Sequence, residues 1–146
     1  MNYIIKNASV VNEGKTTSAD VCIKNGRIEK IGKNISVKYA AEEIDGDGKH
    51  LLPGAIDDQV HFREPGLTYK ANIYSESKAA VAGGVTSFME MPNTLPPAFT
   101  QDLLEEKYSI AEKTSLANYS FYMIRSLYFN SFIGAIVAAV PVPNTS

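Results

Sequence analysis

The sequence predicts an α/β chain: a small all-β unit followed by the first parallel strands and helices of a larger α/β core. Three observations predict it. Short apolar runs separated by tight-turn residues fill residues 1–53. Strand-like and helix-like segments alternate over 54–123. The stretch Asp57 to Gly66 gathers polar and ionisable side chains where its strand ends.

In the first segment, Tyr3-Ile4-Ile5 and Ser9-Val10-Val11 are strand-like, and Asn12-Glu13-Gly14 turns the chain. Asp20 to Lys24 and Arg27 to Ile31 flank Asn25-Gly26. An Asn-Gly pair between apolar-rich runs signals a hairpin, because both turn residues need positive φ. Val21 and Ile23 are expected on one face, with Ile28 and Ile31 on the neighbouring strand. Asp45 to Gly48 is another turn, and His50-Leu51-Leu52 returns to strand.

In the second segment, Ser75 to Ala82 reads as a helix ended by Gly83-Gly84, glycine being the usual residue past a helix end. Val85 to Met91 is nearly all apolar, as expected of a strand buried on both faces. Thr100 is an N-cap, with Asp102 in the first turn to complement the helix dipole. Leu104, Tyr108 and Ala111 follow at helical spacing, predicting a helix over 101–113. Asn118 to Met123 is a third strand. This alternation implies parallel strands joined by right-handed crossovers. Residues 124–146 carry an Ala/Val/Ile-rich run and then Pro141-Val142-Pro143, and take no assigned role.

Composition excludes several function classes. A net charge of −2 offers no basic surface for nucleic acid or an anionic membrane. The most apolar stretch, 132–142, is far below the roughly 20 residues that span a bilayer. Lys6 and Asn7 interrupt the N-terminus before a signal-peptide core can form, so a cytoplasmic protein is expected. Cys22, the single cysteine, reads as a buried structural thiol.

The chemistry is expected in Asp57-Asp58-Gln59-Val60-His61-Phe62-Arg63-Glu64-Pro65-Gly66. Alternation along a strand would put Asp57, Gln59, His61 and Arg63 on one face. Four such groups on a strand entering an α/β core are costly unless they serve a site. Pro65-Gly66 ends the strand, so His61 and Arg63 fall near its C-terminal end, the active-site end in parallel barrels. A neutral imidazole suits a zinc-type ion, and a guanidinium pairs with both oxygens of a carboxylate. Asn93, in Met91-Pro92-Asn93-Thr94, would sit at the same mouth and donate from its amide. Tyr69, Lys70, His50, Glu105 and Glu106 read as surface or structural residues.

These words resemble a family. Gly26-Arg27-Ile28 with Ile31-Gly32, Gly48-Lys49, and Leu52-Pro53-Gly54-Ala55-Ile56-Asp57 are similar to the opening of amidohydrolase-superfamily enzymes. Arg63-Glu64-Pro65-Gly66, Ala82-Gly83-Gly84-Val85-Thr86 and Met91-Pro92-Asn93-Thr94 look like dihydroorotase. The resemblance covers residues 3–123. It implies a TIM (β/α)₈ barrel beside a small β-sandwich, with residues 1–53 in the sandwich and 54–123 in the barrel's first βαβαβ units. It implies a zinc-dependent hydrolase of pyrimidine biosynthesis that interconverts N-carbamoyl-L-aspartate and L-dihydroorotate, a small-molecule substrate pair. It also implies one or two zinc ions that activate a water.

By position, His61 matches the second His of the family's His-x-His metal pair. Arg63 and Asn93 match the substrate-carboxylate residues, and Asp57 an acidic position supporting the metal pair. Gln59 stands where the family usually has the first His; its carbonyl is a weaker zinc ligand than imidazole. The family's carboxylated lysine, further histidines and aspartate general base lie on later strands. A barrel needs about 250 residues, so the chain is expected to be a fragment that is inactive alone, with oligomeric state left open. Two alternatives stand beside this: a non-catalytic dihydroorotase-like scaffold, suggested by Gln59, and an allantoinase- or hydantoinase-type cyclic amidase.

Overall fold

A computed structural model of the chain describes residues 1–124. The chain divides into two compact units, one spanning Met1–Pro53 and a second beginning at Gly54.

In the first unit, strands β1 (Tyr3–Asn12), β2 (Lys15–Lys24), β3 (Arg27–Gly32) and β4 (Glu42–Asp45) form one sheet in the order β3-β2-β1-β4. The short β5 (His50–Leu51) also pairs with β1. The β2–β3 hairpin turns through Asn25 and Gly26 at φ +50° and +72°, as the Asn-Gly pair requires. Between Ile5 and Ala8 the β1–β2 register shifts, and Asn7 there has φ +57°.

The buried carboxylate of Asp20 braces that irregularity. It accepts from Lys6 Nζ at 2.8 Å, Asn7 N at 2.9 Å and Ile35 N at 2.9 Å. The Lys6 hydrogen bond, helped by the two amides, holds its pKa down at about 2.

Cys22 is fully buried and packs with Ile4 and Ile35, beside Val37, Tyr39 and Ala41. The expected apolar face of Val21, Ile23, Ile28 and Ile31 is only partly realised: Val21 is buried, but Ile28 and Ile31 are exposed. The segment carrying Ile35, Val37 and Tyr39 covers the Cys22 face instead.

The second unit is a parallel sheet, β6 (Ala55–Val60), β7 (Val85–Glu90) and β8 (Asn118–Phe121), in that order. Helices α1 (Ile73–Ala82) and α2 (Gln101–Thr114) make the crossovers. Crossovers between parallel strands are right-handed as a rule, so two in one direction place both helices on the same face. Phe62, Ile73, Phe88, Leu104, Ala111 and Phe121 form one core there.

Helix α1 starts two residues before the predicted Ser75, because Asn72 caps it. The Asn72 side chain accepts from Ser75 N at 2.8 Å while Ser75 Oγ accepts from Asn72 N. Thr100 caps α2 by accepting from Leu103 N. Strand β7 is not buried on both faces as its composition suggests. Phe88 and Glu90 are buried on the face that the helices cover, whereas Val85, Ser87 and Met89 on the other face are only half-buried. β8 ends at Phe121, short of Met123. Ile124 still donates its amide to Ala98 O at 2.8 Å. The tail from 125 lies outside the described residues.

Candidate functional site

Strand β6 does not run straight into the polar cluster. Asp57 is level with Phe88 and Val60 with Glu90, so three steps along β6 oppose two along β7. The extra residue makes a bulge, and bulges beside sites re-aim side chains. Two hydrogen bonds brace it. Asp57 Oδ1 accepts from Gln59 N at 3.1 Å, and Tyr122 Oη donates to Asp58 O at 2.9 Å.

The strand ends at Val60, and Arg63 has φ +73°. The expectation of one unbroken strand face bearing Asp57, Gln59, His61 and Arg63 is therefore corrected. A bulge interrupts the alternation before His61, and Arg63 belongs to a turn. Local alternation survives over Val60, His61 and Phe62: Val60 and Phe62 pack in the core while His61 is exposed.

His61 and Asn93 come together. His61 Nδ1 lies 3.1 Å from Asn93 Oδ1. An amide oxygen only accepts, so Nδ1 carries the proton and, in the neutral ring, Nε2 holds the lone pair. That is the form in which an imidazole can bind a metal. The Asn93 amide nitrogen is left to donate elsewhere.

Two turns support this pair. After Arg63, Leu67 N donates to Arg63 O at 3.1 Å. Leu95 N donates to Pro65 O at 3.1 Å, tying the Arg63–Gly66 turn to the Asn93–Pro96 loop. Gly66, at φ +83°, lets them meet: a Cβ there would lie 1.8 Å from Leu95 O. Buried Thr94 donates from Oγ1 to Pro96 O at 2.9 Å. Glu64 Oε2 accepts from Ile73 N at 2.8 Å, at the positive end of the α1 dipole.

Sequence reasoning missed a buried ion pair under the turns. Glu90 and Lys107 side chains are both fully buried, with Lys107 Nζ 3.0 Å from Glu90 Oε2. Glu90 Oε1 accepts from Arg63 N at 2.8 Å, and Lys107 Nζ donates to Met91 O at 3.2 Å. Lys107 also lies over the Phe121 ring, 4.8 Å from its centroid. Burial pushes the Glu90 carboxyl up and the Lys107 ammonium down, and each partner's charge opposes the shift of the other. Two signals were present in the sequence: a glutamate as the sole ionisable residue of its strand, and a lysine at helical spacing between Leu104 and Ala111.

Tyr69 and Lys70, set aside on sequence grounds, are exposed, with the Lys70 ammonium 5.7 Å from the Tyr69 ring. No group of three or more His, Cys, Asp or Glu among the described residues could hold a metal ion. No described helix is long and apolar enough to cross a membrane.

Residues 48–124 match a family model described as dihydro-orotase-like. A dihydroorotase of Methanosarcina acetivorans is 41% identical over 115 residues, covering 79% of this chain and 25% of its own length. One from Carboxydothermus hydrogenoformans is 48% identical over 99 residues, covering 66% of this chain and 23% of its own length. Among solved structures, the L-hydantoinase of Arthrobacter aurescens superposes with a TM-score of 0.78 at 32% identity, over 83% of this chain and 27% of that one. A D-hydantoinase from a Thermus species gives 0.73 at 30% identity, over 88% and 28%. The chain spans about a quarter of the length of the curated relatives it matches.

Proposed function

We propose, from the premise that this chain belongs to the dihydroorotase-like family, that it forms the opening part of a cyclic amidohydrolase acting on L-dihydroorotate and N-carbamoyl-L-aspartate. Residues 1–53 are then its β-sandwich segment and 54–123 the first units of a (β/α)₈ barrel. The observation that carries this reading is the His61–Asn93 contact of 3.1 Å, which joins the ends of two neighbouring parallel strands. An imidazole Nε2 and amide N–H groups that have no partner among the described residues sit together there, with Arg63 on the adjoining turn. Arg63 and Asn93 are the carboxylate-binding groups. His61 is the metal ligand and Gln59 its weaker companion. Asp57 supports them by fixing the bulge that aims His61. The general base and the remaining ligands belong to later strands of the family's barrel.

The metal reading has a limit set by the residues. At this mouth the chain supplies one imidazole, His61, and the described residues hold no group of three or more His, Cys, Asp or Glu that could bind a metal, so they do not by themselves fit a zinc ion. Zinc, a cytoplasmic location and small-molecule substrates follow from the family and complete the reading.

The relatives favour dihydroorotase, whereas the structural neighbours are hydantoinases. The pairing of Arg63 with Asn93 favours the acidic ring, because two carboxylate-binding groups have no use on an uncharged hydantoin. Gln59 keeps the scaffold reading alive, since it weakens the metal pair. The test is to join residues 1–124 to the remainder of the Methanosarcina acetivorans relative and measure turnover with added zinc. Hydrolysis of dihydroorotate in preference to hydantoin is expected. A folded fusion that turns over hydantoin alone supports the hydantoinase alternative. One that turns over neither supports the scaffold.

A further inference from the structure

We propose that Glu90 is the positioning residue for the Arg63 guanidinium, through the acceptor it offers the Arg63 amide; this rests on the reading of Arg63 as the group that takes the substrate carboxylate. Arg63 has φ +73°, a conformation that a non-glycine residue keeps only when its surroundings hold it there. The restraint visible at its amide is the 2.8 Å hydrogen bond to Glu90 Oε1. The other carboxylate oxygen, Oε2, faces Lys107 Nζ at 3.0 Å and has no further partner among the described residues. The same ammonium donates to Met91 O at 3.2 Å, two residues ahead of Asn93. One buried ion pair thus grips the backbone beside both proposed carboxylate-binding residues.

Stability gives no reason for charge here. A buried ion pair is often no better than a well-packed apolar pair of similar size. Leucine and methionine would fill the space between strand end and helix without the desolvation cost. What the apolar pair cannot supply is an acceptor, at a fixed point, for the amide of a residue held in the left-handed region. Glu90 supplies it, and so fixes the direction in which the Arg63 side chain leaves the turn.

Two double variants separate positioning from packing. E90L/K107M removes acceptor and charges together, whereas E90Q/K107M removes the charges and keeps a side-chain oxygen for the Arg63 amide. In the 146-residue chain, hydrogen exchange read by NMR should show the Arg63 amide losing protection in E90L/K107M and keeping it in E90Q/K107M. In the fusion protein, E90L/K107M should raise KM for dihydroorotate about tenfold, as expected when a binding group is misplaced, with kcat changed less than about threefold. E90Q/K107M should stay within about twofold of the parent in both constants.

Unchanged Arg63 protection or an unchanged KM in E90L/K107M overturns the proposal. So does an equal rise in KM in both double variants. Failure of E90L/K107M to fold also overturns it, because the pair would then hold the core rather than the guanidinium. R63A separates the two layers. If R63A leaves KM unchanged, the substrate reading falls and the proposal with it. If R63A raises KM while E90L/K107M does not, the positioning role alone falls.

Discussion

Replacing Gly66 with alanine tests how the two turns hold the candidate site together. The left-handed backbone at φ +83° costs an alanine about 1–2 kcal/mol. The new Cβ would lie 1.8 Å from Leu95 O, while real Cβ contacts stay above 3.0 Å. The obstacle is backbone, so the Arg63–Gly66 turn and the Asn93–Pro96 loop must separate. Separation breaks the 3.1 Å bond from Leu95 N to Pro65 O, at a further cost of about 1 kcal/mol. The sum is about 2–3 kcal/mol. In a unit of this size each kcal/mol lowers the unfolding midpoint by about 4–8 °C, so thermal melting followed by circular dichroism should drop by roughly 10–20 °C. The nuclear Overhauser contact between the His61 ring and the Asn93 side chain should disappear as well. A midpoint within about 2 °C of the parent, with that contact intact, would refute the claim that these turns are locked through Gly66.

Two further perturbations follow from buried charge. The Asp20 carboxyl, at about 2 when folded, sits below the ordinary aspartate value of about 3.9. Its stabilisation is therefore complete above about pH 4 and drains away as pH falls toward 2. In D20N, urea midpoints should be lower than the parent's at neutral pH, with the gap closing between about pH 4 and 2; a gap independent of pH would contradict the assigned charge. K107M alone leaves the Glu90 carboxylate buried without a counter-ion and should cost about 3–5 kcal/mol in denaturant unfolding, more than E90Q/K107M; equal stabilities would contradict the ion pair's geometry.

Much of the fold was legible because local chemistry and tertiary structure agree. Asn25-Gly26 turns as its dihedral demands require, and Thr100 caps α2 where the apolar spacing begins. Asn72 was legible in principle, since Asn72 and Ser75 form a reciprocal cap that the helix reading from Ser75 overlooked. The bulge was not legible. It depends on Asp57 bonding the backbone two residues on, which breaks the period-two rule without any change in hydrophobic pattern. The positive φ of Arg63 had no signal either, because arginine carries no preference for it and the restraint comes from Glu90, 27 residues away. The exposure of Ile28 and Ile31 depended on which face the later 35–41 segment covers, a choice that strand alternation does not encode.

The central claim is that one mouth, built from two strand ends and the turn after them, receives an acidic ring through Arg63 and Asn93. Its most direct test is the Michaelis constant for dihydroorotate of R63A in the fusion with the Methanosarcina acetivorans remainder. Loss of a charge-assisted hydrogen bond to the carboxylate, about 1.5–3 kcal/mol, predicts a rise of roughly ten- to 150-fold. A constant equal to the parent's, in a folded and active protein, would contradict the account.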